Sequence, residues 1–126
     1  MLKGRINRAT FWAGVGAYVA LSLLFSLVFN LGSRGFDIIL MILAILRLHD
    51  LGRTGWWVLA PVLLLALAIV AGGVWLPAGQ GLLLVDGVLL IDAGLLAWIG
   101  TPKGQPGPNR FGEAPPGGVG YRPLGR

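Results

Sequence analysis

Long apolar runs alternate along the chain with short polar seams rich in arginine, and four runs stand out. Phe11–Leu31 (FWAGVGAYVALSLLFSLVFNL) and Trp56–Leu76 (WWVLAPVLLLALAIVAGGVWL) each meet the ~20 residues that a helix needs to cross ~30 Å of hydrocarbon. Leu82–Gly100 (LLLVDGVLLIDAGLLAWIG) just reaches that length and carries two aspartates, Asp86 and Asp92. Phe36–Leu48 (FDIILMILAILRL) is shorter and spans only about 20 Å as a helix.

Charge decides how the short run is read. With four crossings and both ends inside, Lys3, Arg5, Arg8, Arg47, Arg53, Lys103, Arg110, Arg122 and Arg126 share one face, and Arg34 alone lies on the other. That is a strong positive-inside asymmetry. Removing Phe36–Leu48 from the membrane puts the two ends on opposite faces and erases it. The pattern therefore predicts an all-α membrane protein, a four-transmembrane-helix bundle with a short second helix. Arg47 snorkels to the interface, and local thinning absorbs the mismatch. Trp12, Trp56, Trp57, Trp75 and Trp98 all fall within a turn of a run end, where indoles prefer the head-group layer. The first run exceeds the 7–15 residues of a signal-peptide core and lacks an A-x-A site, so it reads as a retained helix. Asn7 is placed to cap it. In helical spacing Arg5, Arg8 and Trp12 share a face suited to lipid phosphates.

From Thr101 the chain turns to TPKGQPGPNRFGEAPPGGVGYRPLGR, too dense in Gly and Pro for a helix. Turns are expected near Pro106–Gly112. The chain thus divides into one membrane domain over residues 1–112 and a flexible, irregular Gly/Pro-rich tail over 113–126. Small residues four apart (Ala13/Ala17, Gly16/Ala20, Ala68/Gly72, Ala93/Ala97) allow close helix packing within the bundle or in a homo-oligomer.

Composition agrees: 56% of the 126 residues are hydrophobic and only 12% charged, about half the usual share for a soluble domain. The net charge of +5 comes without a basic face or basic–aromatic stripe, which argues against nucleic acid and for anionic lipid head groups. There are no cysteines and one histidine, so no thiolate or spaced metal-ligand set exists and no cofactor is expected.

Two places hold candidate chemistry. In RLHDLGRTGWW (residues 47–57), His49 and Asp50 are neighbours whose side chains diverge by about 100° on a helix, so they do not orient one another. Arg47/Asp50 and His49/Arg53 have spacings that share a face, which fits an ion pair and a polar cap ended by Gly52. No serine or cysteine nucleophile accompanies them. Asp92, near the middle of the fourth run, is the sharper anomaly, because an ionised aspartate there costs ~2.5–3.5 kcal/mol. Asp86 lies about a turn from the outer end and about 120° away from Asp92, so the two make no single polar stripe. Asp37 near Arg34 reads as an outer cap of the second helix.

Three motifs then fall in order: GRINRATFW, RLHDLGRTGWW and GPNRFGEAP. Together they resemble the DUF805 family of small bacterial inner-membrane proteins. Its pattern matches Gly4, Arg5, Asn7, Arg8, Phe11 and Trp12, then Arg47, Leu48, His49, Asp50, Gly52, Gly55, Trp56 and Trp57, then Gly107, Asn109, Arg110, Phe111 and Gly112. The short second run and Asp92 depart from it. The resemblance implies a multi-pass inner-membrane location with cytoplasmic termini, and no established activity.

All three motifs then face the cytoplasm. The first expectation is a non-enzymatic bundle whose patch of Arg5, Arg8, Arg47, His49, Asp50, Arg53, Asn109 and Arg110 binds a partner protein or lipid head group. The alternatives are a transporter or ion/proton channel subunit using Asp92, and a lipid-active enzyme at His49.

Overall fold

The computed structural model describes residues 4–29 and 37–120. It is helical: α1 (Arg8–Phe29), α2 (Asp37–Asp50), a 3-10 turn (Gly55–Val58), α3 (Leu59–Val74) and α4 (Ala78–Gly100). Among the described residues the only β feature is an isolated bridge between Asn109 and Gly112. Among the described residues three stretches are long and apolar enough to cross a membrane: Arg8–Phe29, Gly55–Val74 and Ala78–Gly100. They mark the chain as a membrane protein. At 14 residues, α2 falls short of that length.

Local chemistry explains the boundaries. Asn7 caps α1 by accepting a hydrogen bond from Thr10 N at Oδ1 (2.8 Å). After α2, Gly52 takes a positive φ of 74°. Gly52 N donates to His49 O and Arg53 N to Leu48 O, which together form the paired C-terminal closure that favours glycine. Pro61 lies in the first turn of α3, where its missing N–H leaves no bond unmade. α4 begins at Ala78, four residues earlier than the apolar pattern suggests, because Pro77 sets the extended backbone that precedes it. Asp86 consequently sits about 12 Å into the helix rather than one turn from its end.

α4 is the centre of the arrangement and packs on α1, α2 and α3, while α1 packs on α2. Of the small-residue pairs, Ala68/Gly72 is buried. A Cβ on Gly72 would lie 3.0 Å from Gly81 Cα, so the α3–α4 hairpin closes backbone to backbone. Gly16 has open space around it and makes no such contact.

Relative to a water-soluble protein the molecule is inverted. Leu27 (84% exposed), Leu83 and Leu90 face outward, which suits lipid and not water. Apart from Ala68 and Val88, the buried apolar residues described gather at one end, where Ile6, Phe11, Ala44, Leu48, Val58 and Ile99 pack together. At that same end the largest fully buried side chains include Arg47, His49 and Asp50. The start of α1 and the ends of α2 and α4 meet there, as do the loops that follow. The Arg34–Asp37 cap lies outside the residues whose side chains are described.

Candidate functional site

Asp50 ends α2 and is the hub of this polar cluster. Arg5 approaches one carboxylate oxygen side-on, donating from Nε (3.1 Å) and Nη2 (3.0 Å) to Oδ1. Arg47, one helical turn before Asp50, donates from Nη1 to Oδ2. All three side chains are buried. Two guanidinium groups against one carboxylate leave a positive excess, which six main-chain carbonyls offset. Arg5 donates to Gly107 O (2.6 Å), Gly112 O (3.3 Å) and Gln105 O (2.5 Å). Arg47 donates to Ile99 O (3.0 Å), Ile6 O (3.3 Å) and Pro102 O. Guanidinium forks suit this task, since each offers five fixed N–H donors and keeps its charge.

His49 points away from Asp50. Its Nδ1 donates to Gly4 O (3.0 Å), which fixes the tautomer, because a carbonyl only accepts. Nε2 is buried without a hydrogen-bond partner. The ring stacks on Phe111 with centroids 4.1 Å apart and planes within 2°. Burial holds the imidazole below its usual protonation range; the Gly4 contact opposes this, and the nearby Arg110 charge reinforces it.

The C-terminal loop is built into the same structure. Asn109 Nδ2 donates to His49 O (2.9 Å) and to Gln105 Oε1 (3.0 Å), while its Oδ1 accepts from Phe111 N. Gln105 N donates to Asp50 O (2.8 Å). Residues 116–120 lie against the start of α1. Asn7 Nδ2 donates to Pro116 O (2.7 Å) and Gly118 O (2.6 Å), and Thr10 exchanges hydrogen bonds with Gly120.

The expected patch therefore divides in two. Arg5, Arg47, His49 and Asp50 are interior, with Asn109 bonded at their edge. Arg8, Arg53 and Arg110 remain outside, joined by Lys103. Arg5 corrects one expectation: it precedes α1 in non-helical chain and turns inward to Asp50, so it shares no lipid-facing helix face with Arg8 and Trp12. Arg8 donates to Thr101 O and Trp12 Nε1 to Gly100 O, each at 3.1 Å. Arg53 does not join His49 but lies over the Trp57 ring, 5.8 Å from its centroid. Arg110 lies 4.7 Å over Phe111.

Sequence reasoning missed Gly104 and Gln105. A Cβ on Gly104 would come within 1.8 Å of Asp50 Oδ2, so only glycine fits beside the carboxylate. Nothing local in KGQPG signals this. Asp86 is exposed on α4. Asp92 faces a groove between helices, with Oδ1 buried and unpartnered. Among the described residues no three His, Cys, Asp or Glu side chains are grouped as metal ligands.

Known proteins complete the picture. The family model for "Protein of unknown function (DUF805)" matches residues 1–113. The uncharacterized protein YiiR of Escherichia coli strain K12 is 32% identical over 129 aligned positions, covering 88% of this chain and 83% of the relative. YiiR of E. coli O157:H7 matches equally. No solved structure matches. With its three motifs brought together around the buried Arg5–Asp50 pair and the family model spanning nearly its full length, the chain belongs to the DUF805 family.

Proposed function

We propose that the protein is a non-enzymatic platform of the bacterial inner membrane, crossing four times with both termini cytoplasmic. The observation that carries this reading is the Asp50 cluster. It ties the segment before α1, the end of α2 and the loop after α4 to one point, which supports their lying on one side of the membrane. Residues 36–48 then serve as the fourth crossing, and the nine-to-one distribution of basic residues supports the orientation. With both Asp50 oxygens paired and His49 closed from solvent, neither presents a free basic atom at the surface. A general base needs such an atom within reach of its substrate. The outward rim is basic: Arg8, Arg53, Lys103 and Arg110 are exposed there against Glu113. The rim engages anionic head groups or an acidic partner surface, and the buried cluster keeps it in shape.

Co-purification from bacterial membranes tests the reading, comparing the native chain with the Arg8→Gln, Lys103→Gln, Arg110→Gln variant. A lipid or protein held by the first and lost from the second supports the platform; identical companions contradict it. Cysteines placed at Ser33 and Thr101 should label from opposite sides of intact cells, Ser33 from outside. Labelling from one side overturns the four-crossing topology. A second reading, ion or proton movement through Asp92, is favoured by its unpartnered Oδ1. It requires flux in liposomes that Asp92→Asn abolishes.

A further inference from the structure

α2 and α3 leave the 3-10 turn on separate paths and do not pack on one another. Between them, floored by α4, runs an apolar groove of about 380 Å³. Leu40, Ala44 and Leu48 of α2 form one wall, and Ala60 and Val62 of α3 form the other. Leu95 and Leu96 lie on its floor. Among the described residues two charged ones line it, Arg53 and Asp92.

From these features we infer that the groove is a binding site for one acyl chain of an anionic inner-leaflet lipid, whose phosphate is held by Arg53. The inference rests on the orientation proposed above, which puts the Arg53 end at the cytoplasmic surface.

Length selects the occupant. Leu40 to Leu48 is eight residues of helix, about 12 Å, and Asp92 to Ile99 is about 10 Å. A partner transmembrane helix crosses ~30 Å of hydrocarbon, so it would leave most of its length without a groove to lie in. A lipid chain occupies one leaflet, about half that thickness, which the groove approaches.

Polarity agrees with length. Arg53 is exposed and forms no ion pair among the described residues, unlike Arg5 and Arg47. It rests over Trp57, and Trp57 and Trp98 also line the groove, as expected at the level of head groups. The Asp92 carboxyl lies at the deep end, where a hydrocarbon tail gains nothing by passing it.

Native mass spectrometry of the full chain tests this, after extraction from vesicles of equal phosphatidylglycerol and phosphatidylethanolamine. The expected result is one retained phosphatidylglycerol per chain, preferred over phosphatidylethanolamine by about fivefold, which corresponds to ~1 kcal/mol for one arginine at an anionic head group. Arg53→Gln should bring the preference close to unity while a lipid is still retained. Ala60→Trp, which fills the groove from an exposed wall position, should remove the retained lipid altogether. Soluble glycerol phosphate should leave the lipid in place, because the chain anchors it. The inference is overturned if the native protein retains no lipid, if both variants behave as native, or if glycerol phosphate displaces the lipid. Cysteine labelling at Ser33 and Thr101 separates the two failures: opposite-side labelling with no retained lipid sinks the groove alone.

Discussion

Two acidic residues, Asp50 buried and Asp92 half-buried, show how differently one chain treats a carboxylate taken out of solvent. Asp50 closes α2 with both oxygens in guanidinium pairs, and the surplus charge is spread over neighbouring carbonyls. Asp92 sits in α4 with one oxygen buried and unpartnered, facing an apolar groove. The first is a satisfied network, in which each member is costly to remove because the others remain. The second has no network to lose. Burial alone therefore does not mark a working residue; the partners around it decide what its removal does.

Breaking the first network gives the largest expected effect. Asp50→Ala leaves Arg5 and Arg47 buried without a counter-charge and should cost about 3–5 kcal/mol. Unfolding of detergent-solubilised protein by a denaturing detergent would measure it. Crowding the same carboxylate comes next. Gly104→Ala forces a Cβ into Asp50 Oδ2 and should cost about 1–3 kcal/mol. Gly94→Ala, on the lipid-facing run of α4 with open space around it, is the control and should not lower stability.

Protonation probes the network's neighbour. Burial lowers the His49 protonation range, so the unfolded chain takes up a proton before the folded one does. The stability that His49 contributes is complete above its ordinary value of about 6.5 and is lost as pH falls through the lowered folded value. The slope should not exceed about 1.4 kcal/mol per pH unit for one proton. Thermal midpoints between pH 8 and pH 5 should fall for the native chain and stay flatter for His49→Gln; parallel curves would refute the assignment. The smallest effect belongs to Asp92. Asp92→Leu should change stability by no more than about 1 kcal/mol, and in the stabilising direction, because no partner is orphaned. A large loss would reveal a partner for its carboxyl.

The sequence made the local parts of this structure legible. Asn7 as a cap, Gly52 as a helix terminator and Arg47 with Asp50 one turn apart all follow from spacings of a few residues. The apolar runs located the helices, since in lipid the backbone must satisfy itself within each segment. What stayed hidden is long-range. Arg5 reaches Asp50 across 45 positions, and Gln105 meets it across 55, with no periodicity to announce either. Arg5 therefore looked like a surface anchor, and the polar patch looked open, although the fold turns half of its eight residues inward. The groove was equally invisible, because it arises from α2 and α3 diverging and not from any residue pattern.

The central claim is that Arg5 and Asp50 act as one lock between the N-terminal segment and the end of α2. A double-mutant cycle on Arg5→Ala and Asp50→Ala, read by unfolding in detergent, tests it most directly. Coupling of about 0.5–3 kcal/mol is predicted for residues within one buried network. Additivity within about 0.3–0.5 kcal/mol would mean that the two residues act independently, and the lock would have to be abandoned.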